Sequence, residues 1–583
     1  MSKAKNEPKK KTQILKTPAA TAVLFLIVLI AGLPLRLQNF KLNGFISDDA
    51  WWHYRQIKEV TDLGHRINPD IFEFTTLERP MTYPPLFHYL TANIYKLFSK
   101  VVSLIRFTQY LNILEGFLYI LLIYSIAYTI SNDRLFSLIG ALAAAVSHGI
   151  IIRARAAELM PFVFADLFSL AGVLALLVIL KNIKHASLKK SLLLSGMAGV
   201  LFGLSLLAWN GTVFIYLPLI IFAFLSLILY KPRLTKLSLG LLGICLAAVL
   251  IIALPWYLRI ALKYGINPYP KEMSWFMEKY TVMHQVKPLN FYIFTSGIAI
   301  FFVPIVFLGG FFKRNIPQTF FMSWIILGSI ATFSGWRGYV ATMPIISAIA
   351  IAIGLPWIVH FFIKEESKVF TVIYIVIFLL VGAVGYHISS VALRPLDPKN
   401  PNEVRTNERG IKMLEYLKSK YPGSVAIDHI TWVSEDEAVG GVKMVSGQYM
   451  EYLPPGASEA LKDASRVYLL EEEAAYKIFQ KYNAELVIVR RQLLQLPQLT
   501  ILFAPPEFNA EDYLRVSKES EESPEVTISF TPQGMKSLFF RMLNRQKLDK
   551  FELIYVDDDK ITSIPFVVVY KVKKESLPQE TAK

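Results

Sequence analysis

Long apolar runs, separated by short polar segments, fill the first two thirds of the chain. An apolar run of about 20 residues is the length that an α-helix needs to cross a bilayer. The segment 86–105 mixes apolar and polar positions, and it fits an interfacial helix or part of a further span. The other runs predict eleven transmembrane helices. If some of these runs are pairs of short helices merged into one, the number rises to thirteen. The runs lie near residues 17–34, 107–130, 134–152, 160–180, 189–209, 212–230, 235–262, 289–311, 316–334, 338–362 and 369–390.

Beyond these runs the sequence becomes charged, and short helix and strand patterns alternate. They occur in the order Glu408–Lys420, Val425–Ile427, Ala484–Val489 and Ile564–Val572. This alternation is typical of an α/β domain. Residues 393–404 are rich in Pro and Asn, as domain boundaries often are. The predicted fold class is therefore a polytopic α-helical membrane domain, residues 17–392, followed by a soluble α/β domain, residues 393–583.

Composition supports a membrane protein. Of the 583 residues, 54% are hydrophobic and 18% are charged, whereas soluble chains average about 45–50% apolar and about 25% charged residues. These values exclude an ordinary soluble enzyme and a disordered chain. The one cysteine, Cys245, lies in an apolar run. A disulfide within the chain and a cysteine-based metal site are therefore excluded.

The charge distribution predicts the orientation of the chain. The net charge of +16 can indicate a nucleic-acid partner, but cytoplasmic loops of membrane proteins also collect Lys and Arg. No small-residue cleavage site follows the first run, so we predict an uncleaved span rather than a signal peptide. Residues 1–16 then form a basic cytoplasmic N-terminus, and residues 393–583 lie outside. We expect a multi-pass cell-membrane protein that contacts lipids and no nucleic acid. The short basic loops on the inner side are 181–190, 231–236, 313–315 and 364–368.

The outer loops, chiefly 37–106 and 262–288, carry an acidic pair close to the first span. Asp48 and Asp49 are adjacent there. Carboxylates bind divalent metal ions, act as general bases or bind an acceptor group. The same two residues also fit a solvated loop in which an aspartate caps a helix and has no role in binding or catalysis. The sequence pattern alone leaves these alternatives open.

Other candidate residues are spread over the four outer segments. Arg55 suits phosphate binding through its guanidinium fork, or anchoring at the membrane edge. Arg153 and Glu158 share the second outer loop, and His284 lies in the third. A lone histidine serves as a ligand, a base or a structural residue. Arg337 stands at a helix start and suits a phosphate oxygen or a surface anchor.

Seven segments, taken in order, form a recognisable series: Asp49–Arg55 (DAWWHYR), Tyr83–Leu86, Leu207–Gly211, Thr281–Val282 with Pro288, Trp336–Tyr339 with Pro344, Glu471–Val489 and Ser537–Tyr555. The series resembles the archaeal dolichyl-phosphooligosaccharide–protein glycosyltransferases, the catalytic subunits of oligosaccharyltransferase. The resemblance covers roughly residues 20–560. It implies a C-type glycosyltransferase membrane domain followed by an extracytoplasmic domain.

The resemblance also implies a function, N-glycosylation. A glycan would pass from a polyprenyl (dolichyl) phosphate or pyrophosphate carrier to asparagine of an acceptor polypeptide, and a single-subunit enzyme is one arrangement it allows. Asp49 matches the aspartate that binds the divalent metal and the acceptor amide, and Asp48 would assist it. Glu158 is the counterpart of the second acidic motif, which holds the metal, Mg²⁺ or Mn²⁺. Arg337 matches the arginine near the lipid-linked pyrophosphate. The substrate-binding candidates are Arg337, Arg55, His284 and Arg153.

The chain departs from the family pattern at three motifs. Glu158-Leu-Met160 holds one acid where the family has two, and the glutamate of Ser-Val-Ser-Glu falls at His284 or is lost by a deletion. The Trp-Trp-Asp-Tyr-Gly signature, which reads the Ser/Thr of the acceptor sequon, is replaced by Ala426–Trp432 (AIDHITW). Alternatives are therefore a related membrane glycosyltransferase with a non-peptide acceptor, or a catalytically inactive paralogue. A transporter is less well supported, because few charges lie within the predicted spans.

Overall fold

The structure is a computed structural model. Two predicted site residues, His284 and Arg337, lie outside the residues that it describes. Those residues are 17–183, 185–229, 232–268, 289–313, 315–333, 342–363, 368–393, 408–447, 449, 451–495, 512–518, 526–557 and 564–573.

The described residues form two compact units. The first unit takes those within Met1–Asn43, Tyr83–Ala261 and His284–Pro395. The second unit takes those within Gly44–Thr82, Leu262–Met283 and Leu396–Lys583. Part of the first outer loop therefore belongs to the same unit as the C-terminal tail (residues 393–583).

Apolar helices build the first unit. Within the described ranges, eight helices are long and apolar enough to cross a membrane, and three shorter apolar helices accompany them. Each of the eleven predicted runs overlaps one of these helices. Up to residue 392 the described α-helices are α1 (Pro18–Arg36), α2 (Asp48–Leu63), α3 (Leu86–Phe98), α4 (Leu104–Ser131), α5 (Arg134–Ala145), α6 (His148–Ile151), α7 (Pro161–Lys181), α8 (Leu188–Ala208), α9 (Val213–Leu229), α10 (Pro232–Tyr264), α11 (Leu289–Ser296), α12 (Phe302–Lys313), α13 (Ile316–Phe333), α14 (Thr342–Phe362) and α15 (Lys368–Ala392).

Small residues allow close packing at the centre of this unit. Every residue of α5 from Leu135 to Ala145 is buried. A Cβ atom added to Gly140 would lie 2.5 Å from the carbonyl oxygen of Ala348 on α14. Helix backbones in a membrane approach this closely where Gly and Ala line the contact. The alanine-rich sequence of α5 thus fits its buried position between neighbouring helices.

A five-stranded mixed sheet forms the centre of the second unit. Its strand order is β2–β1–β3–β7–β6; β1 is parallel to β2 and β3, and β7 is antiparallel to β3 and β6. A separate antiparallel pair joins β4 and β5. The strands are β1 (Val425–Ile427), β2 (Lys443–Met444), β3 (Leu486–Arg490), β4 (Leu514–Lys518), β5 (Val526–Phe530), β6 (Phe551–Asp557) and β7 (Val567–Val572). The helices of the tail are α16 (Glu408–Lys420), α17 (Val433–Glu435), α18 (Ala457–Arg466), α19 (Glu472–Lys481), α20 (Gln492–Gln495) and α21 (Leu538–Leu543).

Hydrophobic cores cover both faces of this sheet. Leu486 and Ile488 of β3 pack in one core with α16. Val487 and Val489 pack in the other core with residues of α18, α19 and α21. A strand that is buried on both faces reads as a continuous apolar run, which explains the sequence of β3. The predicted α/β domain is confirmed.

Small boundary differences have local causes. Helix α16 has the bounds predicted from the sequence, whereas β3 begins at Leu486 rather than Ala484. The amide of Ala484 donates to the carbonyl of Phe479 at 2.9 Å, so Ala484 still belongs to the turn that ends α19. Strand pairing therefore starts two residues later than the hydrophobic pattern suggested.

Candidate functional site

The acidic pair lies in the first turn of α2. Ser47 caps this helix, and its hydroxyl accepts a hydrogen bond from the Ala50 amide at 3.4 Å. Carboxylates are stabilised there, because the helix dipole places partial positive charge at the N-terminus. Asp48 is buried, whereas Asp49 is only partly buried. Asp49 is therefore the more accessible carboxylate of the pair.

Arg55, two turns further along α2, is the centre of a buried ion network. Its fork donates to Asp70 at 2.7 and 3.0 Å, and Nη1 donates to Glu59 at 2.8 Å. Its Nε forms an ion pair with Glu437 of the tail at 3.2 Å. The sequence predicted Arg55 as a phosphate ligand or a membrane-edge anchor, and its partners Asp70 and Glu437 were missed. Substrate binding by Arg55 stays a prediction.

Charge interactions in this network shift several pKa values in opposite directions. Burial alone would lower the pKa of Arg55, but Asp70, Glu437 and Glu59 hold it well above its ordinary value. Burial would raise the pKa of Asp70, yet the two-pronged contact with Arg55 holds it below its ordinary value. Burial and the neighbouring carboxylates, with Glu73 foremost, raise the pKa of Glu437 well above its ordinary value. Asp70 thus carries the charge that neutralises Arg55.

Aromatic contacts hold the same helix to the tail. The Trp52 ring lies 4.0 Å from the Tyr449 ring, centroid to centroid. The Tyr449 hydroxyl lies 3.3 Å from Nε2 of His53, and Arg79 lies over the Tyr449 ring at 5.5 Å. Burial, with a smaller effect of the Arg66 charge, lowers the pKa of His53 to about 3. His53 is therefore neutral at physiological pH.

The candidates Arg153 and Glu158 lie in the first unit, between α6 and α7. Glu158 is buried, and its Oε1 accepts from Nη2 of Arg155 at 2.9 Å. The Asn112 side chain of α4 donates to the backbone carbonyls of Arg155, at 2.6 Å, and of Glu158. Arg153 lies over the Phe162 ring at 5.0 Å. Asn112 thus fixes the backbone that carries both candidates.

Asp166 lies deeper in the same unit, within α7. It accepts a hydrogen bond from the Tyr119 hydroxyl of α4 at 3.2 Å. A neighbouring helix therefore provides a hydrogen-bond donor to this carboxylate.

The described side chains do not form a metal site by themselves. Within the described ranges, no group of three or more His, Cys, Asp or Glu side chains lies close enough to hold a metal ion. Asp49 and Glu158 belong to different units. One oxygen of Glu158 is bound by Arg155. Divalent metal ions of the Mg²⁺ type need several oxygen ligands. Metal binding by Asp49 and Glu158 stays a prediction.

The segment that replaces the sequon-reading signature belongs to a second buried ion network. Arg490 of β3 donates from Nε to Asp428 at 2.7 Å and from Nη2 to Asp436. It also lies over the Trp432 ring at 5.3 Å. Asp428, Asp436 and Arg490 are all fully buried. Asp428 and Trp432 therefore contact Arg490 in the buried interior of the tail.

Comparison with known proteins identifies the fold. No protein-family model matches the chain, and no curated protein matches it. Solved structures of an archaeal oligosaccharyltransferase, AglB from Archaeoglobus fulgidus, are similar. The structure in complex with an inhibitory peptide and a dolichol-phosphate has a TM-score of 0.70 and 14% identity, over 93% of this chain and 80% of that chain. The structure tethered to an acceptor peptide with the NVT sequon has a TM-score of 0.71 and 13% identity, over 96% and 89%.

A third structure of the same enzyme, in complex with Zn and sulfate, has a TM-score of 0.66 and 15% identity, over 92% of this chain and 79% of that chain. The similarity spans both the helical part and the α/β tail. This chain therefore has the fold of archaeal oligosaccharyltransferase, and the resemblance found in the sequence is confirmed at the level of fold.

Proposed function

We propose that the chain is a membrane glycosyltransferase of the oligosaccharyltransferase type. It transfers a glycan from a polyprenyl (dolichyl) phosphate or pyrophosphate carrier to asparagine of acceptor proteins. The carrying observation is the fold shared over 93% of the chain, together with the family-like motif Asp49–Arg55 at the start of α2. The peptide and the dolichol-phosphate bound by the neighbour support the two substrates proposed here.

The proposed chemistry begins at Asp49. An amide nitrogen is a weak nucleophile, because its lone pair is delocalised into the carbonyl group. The partly exposed Asp49 carboxylate accepts an N–H of the acceptor amide and holds the nitrogen toward the sugar. The bond from the anomeric carbon to the phosphate oxygen breaks and the carbon–nitrogen bond forms with inversion. The nitrogen loses one proton to the Asp49 carboxylate, and the departing phosphate takes the electron pair of the broken carbon–oxygen bond.

Roles for the other candidates follow from the family resemblance. Arg337, with His284 and Arg153 as further candidates, is proposed to bind the phosphate end of the donor, where fixed positive charge stabilises the leaving group. Asp48 is proposed to assist Asp49. Mg²⁺ or Mn²⁺ bound by Asp49 and Glu158 is part of the proposal, and a neighbour that contains Zn and sulfate supports it.

The proposal places the reaction on the outer face of the cell membrane. Eight long apolar helices fit a multi-pass membrane protein. The short basic loops support a cytoplasmic N-terminus and an extracytoplasmic tail. Cysteine accessibility at exposed positions, such as Ser99 and Lys477, tests this orientation in intact cells.

A second candidate function has a different acceptor, such as a lipid or a growing glycan. The buried network of Asp428, Asp436 and Arg490 favours it, because a sequon reader would need accessible polar groups at this segment. The donor and the outer-face location would be the same. The two candidates differ only in what accepts the glycan.

A transfer assay with two acceptors separates these candidates. Purified protein, Mn²⁺ and a lipid-linked oligosaccharide extract are combined with a fluorescent Asn-x-Thr peptide, and a Gln-x-Thr peptide serves as the matched control. A second reaction contains a polyprenol acceptor. A glycosylated Asn peptide supports the first function, and sugar transfer to lipid alone supports the second. If neither product forms while a known active enzyme uses the same extract, both proposals fail and an inactive paralogue is left.

A further inference from the structure

Helix α2 carries buried ionic residues along one of its faces. Arg55 follows Asp48 by seven residues and precedes Glu59 by four. At 3.6 residues per turn, the three side chains therefore lie on one face of the helix. All three are buried. Asp49 is rotated from this face by about 100°, and it is only partly buried. This buried face thus anchors the helix, and the partly buried Asp49 lies outside it.

Residues of the tail bind the buried face. Glu437, in the helical turn Asp436–Gly440, pairs with Arg55 at 3.2 Å. The Asp48 carboxylate is close enough to Glu437 to affect it electrostatically. Glu437 therefore contacts Arg55, which anchors α2 through its ion pairs, and it also lies close to the buried acid of the pair.

The residue before Glu437 connects this contact to the central sheet. Asp436 pairs with Arg490 of β3, and Arg490 also pairs with Asp428 at 2.7 Å. Strand β3 is buried over its whole length and lies between two other strands. Two adjacent tail residues, Asp436 and Glu437, thus tie α2 to the most buried strand of the sheet.

We infer that Glu437 is a positioning residue for Asp49. The tail holds Arg55, and thereby the first turn of α2, in one orientation through Glu437. This role rests on the proposed function, because it assigns Glu437 to the geometry of the same reaction. This role of the tail does not require reading a sequon, because Glu437 acts through Arg55 and α2.

The test compares Glu437→Gln with two matched variants. Glu437→Asp keeps the carboxyl group on a shorter side chain and serves as the conservative rescue. Glu459→Gln removes an exposed tail carboxylate whose partners are Arg466 and Lys481. Each full-length protein is measured for kcat and KM in the transfer assay. Amide hydrogen exchange of the segment 48–55 is measured in parallel.

A positioning role predicts a fall in kcat of about tenfold to a hundredfold for Glu437→Gln, with KM for both substrates within about twofold. Exchange of the segment 48–55 should accelerate in the same variant. Glu437→Asp should recover most of both losses, and Glu459→Gln should resemble the unmodified protein. Unchanged kcat and unchanged exchange in Glu437→Gln would overturn the inference, as would equal losses in Glu459→Gln.

The exchange measurement also separates this inference from the proposed function. If the unmodified protein transfers no glycan to any acceptor, the proposed function fails, and the exchange data still report whether Glu437 holds α2. If the unmodified protein is active and Glu437→Gln loses activity only in proportion to the amount of folded protein, Glu437 is structural and the positioning role is wrong.

Discussion

Arg490→Met tests whether the buried network in the tail depends on its one central cation. The substitution keeps an extended side chain but leaves Asp428 and Asp436 buried without the guanidinium that both now contact. Removing one partner of a buried ion pair costs about 3–5 kcal/mol, because the remaining charge is uncompensated. For a domain of 150–250 residues, this loss corresponds to a fall in midpoint temperature of roughly 6–20 °C.

The loss should depend on pH in a defined direction. Burial, Asp428 and Glu435 together raise the pKa of Asp436 well above its ordinary value, although Arg490 opposes the shift. A carboxyl group with a raised pKa binds its proton more tightly in the folded state, so low pH favours folding. The defect of Arg490→Met should therefore shrink as the pH falls from 7 toward 5, because protonation of Asp436 removes one of the two uncompensated charges.

Hydrogen exchange of the β3 amides measures the opening free energy directly in the full-length protein. The triple variant Arg490→Met, Asp428→Asn, Asp436→Asn is the matched control, because it removes the uncompensated charges as well. It should recover most of the stability that the single variant loses. A loss below about 1 kcal/mol for Arg490→Met alone, the size of an exposed pair, would refute the reasoning.

Three further changes test other parts of the account. Gly116→Ala would place a Cβ 2.7 Å from Nε of Arg36, and this overpacking should cost about 1–3 kcal/mol and lower the midpoint temperature of the purified protein. The control is Gly243→Ala, whose Cβ meets nothing within 4 Å and should leave the midpoint temperature unchanged. His53, whose pKa falls from 6.5 to about 3, resists protonation when folded, so stability should decline as pH falls below 6.5; His53→Gln should flatten that decline in a pH series of thermal melts. Glu158→Gln should lower glycan transfer more than about tenfold, and chelation of the metal should abolish transfer until Mn²⁺ is restored. The control variant is Glu473→Gln, which changes an exposed carboxylate. Equal activity of both variants and the chelated protein would contradict a metal-bound Glu158.

Local patterns in the sequence predicted much of the fold. Apolar runs of bilayer length coincide with the apolar helices, because burial among helices and in lipid both require continuous apolar sequence. Helix α16 was predicted at its observed bounds, since its apolar spacing follows the helical period. Strand β3 was also recognisable, because it is buried on both faces.

The ion networks were not predictable in the same way. The Arg55–Glu437 pair joins residues that are 382 positions apart, and no period or motif relates them. An isolated arginine on a polar helix is compatible with a phosphate ligand, a membrane anchor or a buried ion pair. The burial of Asp70, and thus its role as the partner of Arg55, depends on the folded loop. Asp428 follows β1 and contacts Arg490 at the end of β3 because these two strands pair, which the sequence alone does not show.

The most direct measurement is glycan transfer to an Asn-x-Thr peptide by Asp49→Asn beside Asp62→Asn. Both aspartates lie on α2, but Asp62 is exposed and pairs only locally with Lys58 at 3.0 Å. In Asp49→Asn the rate of glycan transfer should fall by more than about a hundredfold, the usual scale for removing a general base. Asp62→Asn should retain it, and both proteins should fold equally well. Full activity in Asp49→Asn, or an equal loss in both variants, would contradict the central claim.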